Sequence, residues 1–115
     1  MQPGHDLPPQ HPSVTVSDPA RTITATTVNG YTTNIKLTPA ALNGTEADLA
    51  AKILAVAQFS RDRDRADRAD RLVAESVAAG DNEHACRTYL HKEHNLPTHA
   101  DVDAAYTAHY QQPNP

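Results

Sequence analysis

RTITATTVNGYTTNIKL, residues 21–37, is the stretch whose reading decides the fold. Two runs rich in Thr, Ile and Val flank Asn29-Gly30, the strongest short-range signal for a β-hairpin. The register follows from asking which face each pairing would bury, because side chains alternate with period two. A two-residue loop at Asn29-Gly30 would set Ile23 against Lys36 and Thr24 against Ile35, mixing apolar and polar partners. A three-residue loop, Val28-Asn29-Gly30 with Gly30 left-handed as a bulge, sets Ile23 against Ile35 and Ala25 against Thr33. It also sets Arg21 against Leu37 and Thr27 against Tyr31. The sequence favours that second register. Thr22, Thr24, Thr26, Asn34 and Lys36 then form a polar, wet face.

Upstream, Val14 and Val16 alternate with Thr15 and Ser17, the pattern of a half-buried strand that Asp18-Pro19 breaks. Downstream, Thr45 and Asp48 make a T-x-x-D cap after Asn43-Gly44, and an apolar stripe follows at Leu49, Ile53, Val56 and Ala57. No Pro or Gly interrupts residues 45–79, so a helix of about 50 Å is expected, ended by Gly80-Asp81-Asn82. A second helix is expected over 83–94 with Pro97 as a stop. A third opens at Thr98, where Asp101 repeats the cap, and places Val102, Ala105, Tyr106, His109 and Tyr110 on one face. Strands first and helices after define an α+β fold: a three-stranded antiparallel sheet, a long helix and two shorter C-terminal helices. Ile23, Ala25, Ile35 and Leu37 are expected to pack on Leu49, Ile53 and Val56, so Ile53→Asp should unfold the domain.

The 115 residues suit one domain, over 13–110. Residues 1–12 hold four of the nine prolines and read as a disordered arm, and 111–115 as a disordered tail. Apolar residues reach only 38% and aromatics 4%, a thin core that favours an oligomer or a partner; a homodimer or a heterodimer with a paralogue is the expected assembly. The net charge of −4 argues against nucleic acid held by overall charge. No apolar run approaches the roughly 18 residues of a membrane span. The first residues lack the order of a secretory signal, and the single cysteine, Cys86, fits a reducing compartment such as the cytoplasm.

The loudest motif is the run from Arg61 to Arg71, with five arginines against four aspartates. Pairs Arg63–Asp67, Asp64–Arg68 and Asp67–Arg71 at i,i+4, with Arg61–Asp64 at i,i+3, predict a solvated, self-paired helix. Carboxylates competing within the helix also weaken any reading as a phosphate-binding comb. Arg61, Arg65 and Arg68, with Leu72, Val73 and Val77 further along, are the candidate interaction residues. The last three lie too far along to touch the sheet and should meet the C-terminal helices or a second subunit. His84, Cys86, His91, His94 and His99 lie within sixteen residues. They lack zinc-type spacing, so neither a metal nor a cofactor is expected. Cys86 reads as a small buried filler and Tyr89 as a core residue of its helix. No nucleophile elbow or phosphate loop occurs, and no catalytic residue is assigned. Tyr89-Leu90-His91-Lys92-Glu93 also fits the loose Tyr-x-x-x-Asp/Glu form of type VII export signals, without the Trp-x-Gly turn that usually precedes it.

Residues 23–66 read ITATTVNGYTTNIKLTPAALNGTEADLAAKILAVAQFSRDRDRA. A Thr-rich strand, a polar-Gly turn, a strand ending Ile-Lys-Leu, a Thr cap and Leu-Ala-x-x-Ile-Leu-x-x-Ala resemble the YbaB/EbfC-like module. The order of motifs is more closely similar to the mycobacterial ESX-1 secretion-associated EspD/EspH-like family. That likeness begins near Val14-Thr15-Val16-Ser17-Asp18-Pro19 and returns at Asn95-Leu96-Pro97-Thr98 and at 105–110. The long acidic N-terminal region of that family and the N-terminal helix of YbaB-type proteins have no counterpart here. The resemblance implies a non-enzymatic, chaperone-like accessory factor of type VII secretion, acting on other secreted proteins and itself open to export. The alternative it implies is a nucleoid-associated DNA-binding protein.

Overall fold

The computed structural model describes residues 12–111. The expected arm at 1–12 and tail at 111–115 therefore lie, apart from Pro12 and Gln111, outside the described residues. Three strands, β1 (Ser13–Ser17), β2 (Ile23–Val28) and β3 (Tyr31–Leu37), form an antiparallel sheet in the order β1-β2-β3. A short 3₁₀ turn, Pro39–Leu42, leads to the long helix α1 (Glu46–Ala78), followed by α2 (Glu83–Thr88) and α3 (His99–Tyr110). The α+β architecture is the one expected, with one addition: α2 continues into a π-helical turn, Tyr89–Glu93.

Local chemistry sets the helix ends. The Thr45 hydroxyl accepts the Asp48 N–H at 3.0 Å, satisfying a donor that the first turn leaves orphaned. Thr98 and Asp101 form a reciprocal capping box at the start of α3. Asn82 caps α2 by accepting the Ala85 N–H at 2.9 Å. Gly80 follows the end of α1 with φ of 104°, a left-handed conformation that suits glycine.

The hairpin register differs from the expected one. Asn29 and Gly30 form a two-residue turn with φ of 51° and 85°, both positive as a type I′ turn requires. Val28 pairs with Tyr31 and Thr27 with Thr32, the register shifts between Thr26 and Thr27, and Ala25 then pairs with Ile35 and Ile23 with Leu37. Thr33 is the extra residue on β3. This bulge removes the conflict that made a two-residue loop unattractive, since one added residue returns Ile35 and Leu37 to the face of Ala25 and Ile23.

That inner face lies under the first half of α1. Val14, Val16, Ile23, Ala25, Ala41, Val56 and Ala57 are buried together, and Ile35, Leu49 and Ile53 pack against them half-buried. Leu37 departs from expectation: at the rim of β3 it is 41% exposed. Ile53 is only half-buried, so a charge there keeps access to water. The position at which an aspartate would be buried outright is Val56, which is fully inaccessible.

α3 returns antiparallel to α1 on its β1 side. Phe59 of α1 meets the rings of Tyr106 and Tyr110 at centroid distances of 5.3 and 5.8 Å. The Tyr106 hydroxyl donates to the Ser17 carbonyl at 2.5 Å, tying α3 to the end of β1. Burial, then the charges of Tyr106 and Asp18, push the Tyr110 hydroxyl up to about 12. Asp18 closes the β1–β2 turn by accepting both the Thr22 and Ile23 N–H groups, at 2.7 and 3.0 Å, and the Thr22 hydroxyl.

Candidate interaction surface

A polar seam runs through the middle of the interface between α1 and the sheet. Thr27, Ser60 and Asp64 are all buried, with Ser60 and Asp64 one turn apart on the sheet-facing side of α1. Ser60 donates its one hydroxyl proton to the Ala57 carbonyl at 2.9 Å. The 2.6 Å bond between Thr27 and Ser60 must then run from Thr27, and the 3.2 Å bond between Thr32 and Thr27 from Thr32. Arg61 donates to the Thr32 hydroxyl at 3.2 Å and completes a chain of one-way hydrogen bonds. Beside it, the Asp64 carboxylate accepts the Gly30 N–H at 2.9 Å. The helix thus holds the hairpin turn directly, which supplies the physical reason for the observed register: it turns Thr32 inward and aims Gly30 at Asp64.

The Arg/Asp run is not self-paired as expected. None of the four expected intrahelical pairs forms; the one ion pair within the run is Arg65–Asp62 at 3.6 Å. The other charges reach across to neighbouring elements. Arg63 bonds Asp103 of α3 at 3.0 Å, and Asp70 bonds Arg87 of α2 at 3.0 Å. His99 lies 2.8 Å from Asp67 and 3.3 Å from Asp70. An intrahelical pair contributes only about 0.3–0.5 kcal/mol, so a bond that also docks another helix displaces it.

At 100° per residue, Arg61, Arg65, Arg68 and Leu72 fall on one flank of α1, the same flank as Leu54. Val73 and Val77 fall on another. Arg61 bonds the Thr32 hydroxyl and the Gln58 side-chain carbonyl, the latter at 2.9 Å. Arg68 bonds the Asn29 side-chain carbonyl at 3.2 Å, and Arg65 bonds the Asn95 backbone carbonyl at 2.9 Å. Apart from the Asp62 contact of Arg65, these acceptors are neutral. Leu72 is 38% exposed and borders a shallow hollow with Arg68, Leu90, His94 and Leu96. Val73 is buried within the chain, and Val77 is exposed beside Glu83 and Arg87.

The segment from Asn95 to His99 crosses the back of α1. Asn95 is held by Arg65 on one flank and His99 by Asp67 and Asp70 on the other, while Ala66 and Ala69 lie between, each 1% exposed. The histidines hold separate posts: His91 Nδ1 lies 2.5 Å from the Leu96 carbonyl, and His94 stands edge-on to Tyr89 at 4.8 Å. Among the described residues no three His, Cys, Asp or Glu side chains converge as a metal site requires. Cys86 is half-buried rather than buried, and Tyr89, where the π-helical turn begins, is 55% exposed rather than part of a core. No helix among the described residues is long and apolar enough to cross a membrane. No protein-family model matches the chain, and no curated protein or solved structure matches it.

The buried polar seam is what sequence reasoning missed. Its only local trace is a set of polar residues, Ser60 and Asp64, at the helical spacing of the apolar stripe.

Proposed function

We propose that the chain is a non-enzymatic, chaperone-like interaction factor of type VII secretion, working in the cytoplasm as a homodimer or as a heterodimer with a paralogue. The observation that carries the interaction reading is the exposure of large apolar side chains around the amino-terminal half of α1. Leu37, Leu42 and Leu54 are 41%, 59% and 65% exposed. Ile35 and Ile53 beside them are only half-buried. A second subunit or client covering these side chains would gain about 25 cal/mol for each Å² of apolar surface removed from water. The link to secretion rests on the resemblance to the EspD/EspH-like family. It is supported by the exposure of both Tyr89 and Glu93, the ends of the Tyr-x-x-x-Asp/Glu motif.

Deleting the gene in its native host tests the secretion reading. The expected result is a loss of particular type VII substrates from the culture medium, restored by the intact gene. An unchanged set of exported proteins refutes it. Light scattering tests the assembly: a dimer converted to a monomer by Leu54→Ser is expected, and a parent protein that is already monomeric removes the dimer from the proposal.

The nucleoid-protein alternative keeps one observation in its favour. Among the described residues, Arg61, Arg68 and Arg71 pair with no carboxylate, contrary to the competition expected within the helix. It requires a mobility shift of duplex DNA that weakens steeply with salt. No shift at low salt dismisses it.

A further inference from the structure

We infer that the carboxyl-terminal half of the Arg-bearing flank of α1 is a docking groove for an acidic peptide segment carrying a large apolar anchor. The inference rests on the interaction reading above and assigns it a place and a partner chemistry.

Two complementary features meet there. The first is charge. Arg61 and Arg68 spend their hydrogen bonds on neutral oxygens, and Arg71 is exposed with no ion pair among the described residues. The buried carboxylate of Asp64 lies beneath the row and offsets one of the three charges. Glu75, exposed one turn beyond Arg71, offsets a second, so one positive charge remains on a protein whose net charge is −4, a local reversal of sign that favours a negative partner. The second feature is apolar. Leu72, Leu90 and Leu96 line the hollow whose rim Arg68 forms, and all three keep part of their surface open. A Leu, Met or Phe side chain seated there removes apolar surface from water on both partners. A carboxylate one helical turn or a few extended residues away then reaches Arg68, which is four residues from Leu72. Arg68 is already steered by its bond to Asn29, and Arg61 by its bonds to Thr32 and Gln58, so little ordering of these two remains to oppose binding. A second copy of the chain fits poorly, because antiparallel apposition of two such flanks would set arginine against arginine.

The test is selection of a random twelve-residue peptide library, displayed on phage, against the full immobilised chain. Peptides with Asp or Glu within four residues of Leu, Met or Phe are the expected yield, with binding that weakens as salt rises. Arg68→Glu should weaken a recovered peptide about tenfold and Leu72→Ser by a similar factor. Arg68 also holds the hairpin, so Arg71→Glu provides the control: its side chain makes no hydrogen bond among the described residues, and it should cost about threefold with the fold intact. Recovery of no peptide, of peptides without acidic bias, or of peptides insensitive to all three substitutions overturns the groove. Peptides that instead lose binding on Leu54→Ser sink this site while leaving an interaction module standing. A duplex oligonucleotide that binds these arginines more tightly than any recovered peptide replaces the peptide with nucleic acid.

Discussion

Asp64→Ala tests the reasoning about the polar seam most directly. The carboxylate is 1% exposed and receives the Gly30 N–H at 2.9 Å. A hydrogen bond to a charged group contributes about 1.5–3 kcal/mol, and its removal leaves a half-buried amide without a partner. Against that loss stands the desolvation of the carboxylate, which the alanine variant no longer bears. The net expectation is a destabilisation of about 2 kcal/mol, equivalent to roughly 10 °C in melting temperature for a domain of this size. Asp64→Asn keeps an acceptor without the charge and should fall near half that value. Urea unfolding followed by far-ultraviolet circular dichroism gives the free energies, and amide exchange gives the local effect. Protection of the Gly30 amide should fall by more than global stability does, since the turn is released first. An Asp64→Ala protein within about 0.5 kcal/mol of the parent, or one with an unchanged Gly30 amide, refutes the claim that the helix pins the hairpin.

Val56→Asp should abolish cooperative unfolding in circular dichroism, because an unpaired charge at a fully inaccessible site costs several kcal/mol; Ile53→Asp should remain folded but weakened. Gly30→Ala should cost about 1 kcal/mol in a urea titration, since φ is 85° while the nearest side-chain atom, on Arg68, is 3.9 Å from the added methyl. Acid sensitivity should trace to Asp18. Burial raises its pKa, but bonds from the Thr22 hydroxyl and the Ile23 and Thr22 amides outweigh that and lower it. Its stabilisation is therefore present above the unfolded value of about 3.9 and lost as pH falls through the folded one. Asp18→Asn should flatten stability against pH in that acid range. At the alkaline end Tyr110, raised to about 12 chiefly by burial, contributes stability that is present below about 10 and lost as pH rises through 12. Tyr110→Phe should remove that slope from a series of thermal melts.

Helix ends and strand positions were legible because their causes are local. Thr45 and Asp48, or Thr98 and Asp101, sit three residues apart and carry the whole of their cap. The alternation of Val14 and Val16 needs no partner to be seen. The hairpin register is not legible for the opposite reason: the contacts that distinguish it come from Arg61 and Asp64, 29 and 34 residues from the Thr32 and Gly30 they bond. An apolar period contains no term for such bonds. The Arg/Asp run hides its partners in the same way. Along the helix each charge has an opposite sign within one turn, whereas Arg63 pairs with Asp103 forty residues on and Asp70 with Arg87 seventeen residues on. Among the candidate interaction residues, Arg61, Arg65, Arg68 and Leu72 share a flank, while Val73, 2% exposed, is taken up by the interior. Helical spacing alone separates those two sets; only the fold says which of them faces outward.

The irregular passage of residues 95–98 past Ala66 and Ala69 has a consequence for tolerance to change. Two methyl groups lie between the Asn95 and His99 anchor points on the long helix, each 1% exposed. A leucine at either would need no chemistry of its own to do damage: by wedging the passage outward it would prise His99 from its aspartates and Tyr106 from Ser17 together. The smallness of two side chains thus helps set how the last described helix meets the centre of the molecule.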